Sequence, residues 1–266
     1  MKIFACGDFH GTVPEKFRKI ARSCDFVLCI GDLANRDKER AIYFKHWKAL
    51  GEGHDLFEFV DKKKFRKILI SNVKSLVPVI KKMDSWGMPV VTTHGNGDFT
   101  KERLKRYFKG LDMPRNLPRF EQLVKKTKNI NYFPNSVVDF DETYQIITFG
   151  CPTDDVPDEI EIMMLRDLFK QKLKNKKVIF LTHEPPYGTK IDLTKYGPAK
   201  GHHIGSKSVA WAIKKYKPAL NICGHVHETQ GVSCVGKTIC VNAGYGRKGQ
   251  AAIIELGKKI SIKLVK

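Results

Sequence analysis

Five short apolar runs in this 266-residue chain each stop at an aspartate, a histidine or an asparagine, four of them beside a glycine. KIFAC (2–6) leads into Gly7-Asp8-Phe9-His10-Gly11, and DFVLCI (25–30) into Gly31-Asp32-Leu33-Ala34-Asn35. PVVTT (89–93) leads into His94-Gly95-Asn96-Gly97-Asp98, and KVIFLT (177–182) into His183-Glu184-Pro185-Pro186. The fifth run, ALNIC (219–223), leads into Gly224-His225-Val226-His227. Runs this short, rich in β-branched residues and bounded by turn formers, predict buried strands. Segments of helical period lie between the earlier ones. Residues 14–23 put Phe17, Ile20 and Ala21 on one face, and residues 64–83 carry a longer stripe that Pro78 is expected to kink.

Strands alternating with helices predict an α/β fold with largely parallel strands. Further strand candidates at 144–149, 238–242, 251–256 and 259–265 make the C-terminal third denser in strands, so a mixed or second sheet is expected. Neither an internal repeat nor a linker rich in Pro, Gly or Ser is evident, which favours one domain over residues 1–266. Helical insertions are expected near 36–66 and 101–120. A solvated helix pair is the plainer reading of each, and a substrate-facing lid the sharper one.

In an open α/β sheet the carboxyl ends of parallel strands share one edge, where ligands bind. Side chains far apart in sequence would then meet. Taken singly, each ending is ordinary: Asn96-Gly97 is a hairpin signal, Gly-Asp is a common strand exit, and a lone His is usually a hydrogen-bonded core residue. Gly-His-x-His is the most specific piece, since two imidazoles at i and i+2 after a glycine suit metal coordination. Five such endings in one chain set the turn reading aside. The shared donor set is carboxylate, amide oxygen and imidazole without thiolate, which suits Mn²⁺, Fe, Zn²⁺ or Mg²⁺.

Composition narrows the setting. The chain is 42% hydrophobic and 29% charged, as ordinary globular proteins are. Its net charge of +20 suits anionic partners such as phosphate esters, nucleotides or nucleic acid. Seven cysteines, an odd number with no C-x-x-C pair, argue for reduced thiols and hence a cytoplasmic location. The N-terminal apolar run is too short for a signal sequence, and no stretch approaches the roughly 18 apolar residues of a membrane span. The expectation is a soluble cytoplasmic protein with no membrane partner and an open oligomeric state.

The ordered set Asp-x-His, Gly-Asp, Gly-Asn-x-Asp, a lone strand-terminal His and Gly-His-x-His resembles the calcineurin-like metallophosphoesterases, from Asp8 to His227. The resemblance implies a four-layer α-β-β-α sandwich with two mixed β-sheets and a dinuclear metal site at the strand ends. It implies that Asp8, His10 and His227 hold one ion, that Asn96, His183 and His225 hold the other, and that Asp32 bridges them. It also implies two divalent cofactors (Mn, Fe, Zn or Mg, with Mn expected to support activity in vitro) and phosphoester hydrolysis by a bridging hydroxide. The neutral Asn96 oxygen would coordinate without repelling phosphate.

One position departs from the family pattern. Gly97 stands where many members carry a His that protonates the leaving group, a loss shared with phosphodiesterase-like branches. Diesters are therefore slightly favoured, with a phosphorylated small molecule or nucleotide as substrate. His94 is the expected replacement, contacting phosphate or donating the proton, against a plainer role capping its strand. Asn35 is expected either to bond a phosphate oxygen or to cap the helix that follows it. Basic segments at 62–67 and 101–109 make a nuclease the second reading, although no aromatic-interleaved nucleic-acid motif accompanies them. A non-catalytic scaffold for protein contacts is the third.

Overall fold

The computed structural model describes residues 1–107, 110–152 and 156–266, so residues 108 and 109 of the expected insertion at 101–120 lie outside the described residues. Two six-stranded mixed sheets face each other. The first is built on β1 (Lys2–Cys6), β2 (Phe26–Cys29), β3 (Val90–Thr92) and β4 (Ile130–Tyr132), all parallel. The second has a parallel centre of β6 (Tyr144–Phe149), β7 (Lys177–Thr182), β8 (Leu220–Cys223) and β10 (Thr238–Asn242). Antiparallel strands extend both: β5 (Asn135–Asp139) beside β6, β9 (Gly231–Val235) beside β10, and β11 (Ala251–Leu256) with β12 (Ile260–Val265) beside β1.

Side-chain alternation along the strands creates the layers. Ile3 and Ala5 of β1 face Ile179, Leu181 and Ile222 of the other sheet, closing the inner core. Phe4 and Cys6, one residue out of phase, pack instead on α1 (Lys16–Arg22) and α5 (Leu76–Asp84) through Phe17, Val79 and Met83. On the far side, Phe180 and Ile147 meet α8 (Asp158–Lys170) and α9 (Lys207–Tyr216) through Leu165, Phe169 and Ile213. Strands buried on both faces are continuous apolar runs, which is why they were readable. No helix among the described residues is long and apolar enough to cross a membrane.

Between β2 and β3 the chain forms α2 (Asp37–Lys45), α3 (Trp47–Gly51), a 3₁₀ turn (Leu56–Glu58) and α4 (Lys62–Lys74). The expected single kinked helix over 64–83 is two helices that divide at Ser75. Pro78 falls in the first turn of α5, where its missing N–H is not needed. Between β3 and β4 lie α6 (Lys101–Tyr107) and α7 (Phe120–Val124).

The α8–α9 contact carries a buried carboxylate, Glu161, which accepts a hydrogen bond from the Ser208 hydroxyl. Burial pushes its pKa up to about 7, against the pull of that hydroxyl. The folded state therefore holds this proton more tightly than the unfolded chain. The stability it confers is complete below the ordinary glutamate range and is lost as pH rises through 7. The swing should be on the order of 3 kcal/mol, read as falling urea midpoints from pH 5 to 8. Glu161→Gln should flatten that slope, and an unchanged slope would contradict the assignment.

Candidate metal centre

The loops that follow β1, β2, β3, β7 and β8 meet at one end of the two sheets. Their backbone is strained where the side chains matter. Among the described residues five non-glycine residues have positive φ, and four of them are Asp8 (49°), His10 (42°), Asp32 (55°) and His225 (69°). Such conformations cost roughly 1–3 kcal/mol each and cluster at functional sites. Close packing also fixes Gly224, where a Cβ would lie 2.3 Å from Asp8 Oδ2 and 2.1 Å from Ile30 Cδ1.

All seven side chains expected as ligands converge here. His10 Nε2 lies 3.1 Å from His227 Nε2 and 3.7 Å from Asp32 Oδ2, and His227 Nε2 lies 3.7 Å from Asp8 Oδ1. A second group surrounds His183 Nε2: Asn96 Oδ1 at 3.1 Å, His225 Nδ1 at 3.2 Å and Asp32 Oδ1 at 3.7 Å. Asp32 thus turns one oxygen to each group. Donor atoms of Asp8, His10 and His227 fall within 4.8 Å of one another, as do those of Asp8, Asp32 and His183.

This arrangement fits cations better than it fits itself. His183 Nδ1 donates to the Ile30 carbonyl at 2.9 Å, leaving a lone pair on Nε2. In the neutral ring that lone pair faces the acceptor atoms Asn96 Oδ1 and Asp32 Oδ1, and either a proton on Nε2 or a bound cation relieves the repulsion. Ligand atoms bound at about 2.0–2.1 Å in a tetrahedron stand about 3.3 Å apart, close to these spacings. Asp8 Oδ1 and His10 Nδ1 are buried with no hydrogen-bond partner among the described residues. Burial disfavours charge on His183, yet the Asp32 and Asp8 carboxylates outweigh it and draw its pKa up. Burial lowers His10 to about 4, and burial together with His183 lowers His225, so both stay neutral donors. The Asp32 carboxyl is held well below its usual range despite burial, chiefly by His183 and His10.

Supporting residues fix the loops, and sequence reasoning missed most of them. Asp98 accepts from the backbone N–H groups of Asp32 (2.7 Å), Leu33 (2.8 Å) and Gly95 (2.9 Å), tying two ligand loops together. Two guanidinium groups converge on the Asn96 carbonyl, Arg36 Nη1 at 2.7 Å and Arg103 Nη1 at 2.6 Å. Arg103 also donates to the Pro152 carbonyl at 2.7 Å and is buried, although it belongs to a charged run that reads as surface. Tyr245 stacks on His227 with ring centroids 4.2 Å apart.

Two further side chains singled out in the sequence, His94 and Asn35, make local contacts. His94 has both ring nitrogens engaged, Nε2 with the Cys151 carbonyl at 3.0 Å and Nδ1 with the Tyr132 hydroxyl at 2.8 Å. Burial lowers its pKa to about 3. It braces the β3 loop, with its ring proton directed at the Cys151 carbonyl. Asn35 accepts from the Asp37 N–H at 3.0 Å at the entry to α2. At Gly97 the backbone N–H donates to Asp32 Oδ1 at 2.5 Å, and an added Cβ would stand 2.9 Å from that same oxygen. The absent side chain thus matches a tight approach to Asp32.

A cavity of about 810 Å³ opens over His10, Asp32, Asn96, His225 and His227. Arg36 and side chains of the inserted helices line it as well.

Residues 1–229 match the family model described as calcineurin-like phosphoesterase. An uncharacterised protein of Methanocaldococcus jannaschii is 27% identical over 250 residues, covering 91% of this chain and 87% of its own. A UPF0046 protein of Caenorhabditis elegans is 33% identical over 75 residues, 28% of this chain and 24% of its own. Among solved structures, the crystal structure of TT1561 from Thermus thermophilus superposes with a TM-score of 0.53 at 15% identity, covering 98% of this chain and 97% of its own. Another crystal structure reaches 0.69 at 19% identity, with 100% and 99% covered. These two likenesses speak for the fold.

Proposed function

Because the chain belongs to the calcineurin-like phosphoesterase family, we propose that it hydrolyses phosphoric esters at a dinuclear metal centre, phosphodiesters ahead of monoesters. The observation that carries this reading is Asp32, whose two oxygens lie 3.7 Å from His10 on one side and 3.7 Å from His183 on the other. Asp8, His10 and His227 would hold one divalent ion, Asn96, His183 and His225 the second, and Asp32 both. When bound, the ions supply an acidified water and neutralise charge on the attacking and leaving oxygens.

The protein's part is preorganisation. The Ile30 carbonyl fixes the tautomer of His183, and Asp98 locks the Asp32 and Gly95 backbones. Arg36 and Arg103 hold the Asn96 loop, whose amide oxygen adds no negative charge where phosphate must approach. With Gly97 bare and His94 engaged elsewhere, neither offers the leaving group a proton, which favours esters whose alcohol leaves without help. A phosphorylated small molecule or nucleotide is the proposed substrate class. Cytoplasmic residence is supported by the cysteines, an odd number with six of the seven buried.

The test is hydrolysis of bis-p-nitrophenyl phosphate and p-nitrophenyl phosphate after chelation and return of Mn²⁺. Turnover should vanish on chelation, come back with Mn²⁺ and be faster on the diester. Turnover that survives metal removal would overturn the reading.

A further inference from the structure

The cavity above the candidate metal centre has two chemically different sides. Besides the ligand groups, the cavity is lined by Tyr43, Phe44, Trp47, Phe57 and Phe65, with Leu56 among them, an apolar wall from the insertion between β2 and β3. Three of these rings are preset by one another. Tyr43 meets Phe65 edge-on at 6.2 Å and 77°, and Phe57 meets Phe65 at 5.8 Å and 80°. Phe44 and Trp47 are 49% and 58% exposed. Large aromatic side chains left in water on the side of a concave site mark a place where something apolar is covered. Arg40 lines the same cavity, lies 5.6 Å from the Phe44 ring centroid, and makes no salt bridge among the described residues.

We propose that this wall is a base-binding bay: the ligand is a nucleoside phosphoester of mononucleotide size, its base stacked on Trp47 and Phe44 and its phosphoryl oxygens met by Arg40. This deepens the phosphoesterase reading and rests on it for the placing of the phosphate. Five aromatic rings outnumber the aliphatic Leu56 and Ile204 in the lining, whereas an acyl chain would be matched by mostly branched aliphatic residues, and the Arg40 cation lines the same cavity. Flat rings and guanidinium groups are the surfaces on which bases stack. The cavity, about 810 Å³, falls in the range that encloses a small ligand and not a helix of nucleic acid.

Calorimetric titration of the Mn²⁺-loaded protein tests the bay without relying on turnover. The probes are AMP (the kind of monoester a diester reaction leaves behind), ribose 5-phosphate and octyl phosphate. AMP should bind about 5- to 150-fold more tightly than ribose 5-phosphate, the worth of one base–aromatic stack. Trp47→Ala and Phe44→Leu should each shrink that ratio. Both side chains are largely exposed, so folding should survive, and the ribose 5-phosphate arm reports on the metal centre within each variant. Equal binding of AMP and ribose 5-phosphate would overturn the proposal. So would a ratio that survives both substitutions, or octyl phosphate binding as tightly as AMP. Hydrolysis of ethyl p-nitrophenyl phosphate separates the two claims. Turnover with no AMP preference removes the bay and leaves the phosphoesterase, whereas an AMP preference without turnover of any ester keeps the bay and removes the phosphoesterase.

Discussion

Asp32→Asn should reduce Mn²⁺-dependent ester hydrolysis by at least about 10²-fold and lower the metal bound per chain. That figure is a floor, because losing even an outer partner of a ligand costs about 10–100-fold. Asp32 faces both donor groups, at 3.7 Å from His10 and 3.7 Å from His183, so its replacement weakens both at once. The amide keeps the volume and one oxygen, which can still accept from the Gly97 N–H. What it removes is the negative charge shared between the two groups. Initial rates and metal content measured on the same preparation check this. Activity within a few fold of wild type would contradict the bridging role.

Arg36→Ala should destabilise the fold by about 3–5 kcal/mol, the usual cost of breaking a buried pair and stranding its partner. Glu39 is fully buried on the adjacent turn of α2. Its carboxylate takes Arg36 Nε at 3.0 Å and Nη2 at 2.5 Å, and Asn72 Nδ2 of α4 at 2.8 Å. Without the guanidinium, that charge keeps only the amide. Arg36 also reaches the Asn96 carbonyl, so the same change loosens a candidate ligand loop. Urea denaturation of the metal-free protein reads the stability term separately from metal binding. A second substitution, Glu39→Leu, should recover much of the loss, since removing both charges is often near neutral. A loss below about 1 kcal/mol for the single variant would show that the pair is not uncompensated when broken.

Much of this site was legible because its chemistry sits where strands stop. The apolar runs before Asp8, Asp32, His94, His183 and His225 are buried on both faces, so the first polar residue marks the sheet edge. Other parts were not legible. Strand β4 is three residues long, β5 is half exposed and β9 is an edge, so none carries a strong pattern. Ser75 divides a stripe that reads as one helix because the hydrophobic period continues across it. Arg103 hides in a charged run, and its carbonyl partners, Asn96, Cys151 and Pro152, pull it inward. For His94 the sequence left two roles open, and it could not show the ring's partners, the Tyr132 hydroxyl and the Cys151 carbonyl, which come from distant parts of the chain. The aromatic wall was visible as residues but not as a surface, since its rings come from separate helices and a 3₁₀ turn.

The most direct measurement is a Mn²⁺ titration of the metal-free protein in which bound ions and bis-p-nitrophenyl phosphate turnover are followed together. The account predicts that turnover appears with the second ion and reaches its plateau at two ions per chain. Two ions bound with neither the diester nor p-nitrophenyl phosphate hydrolysed, or full turnover with a single ion, would contradict it.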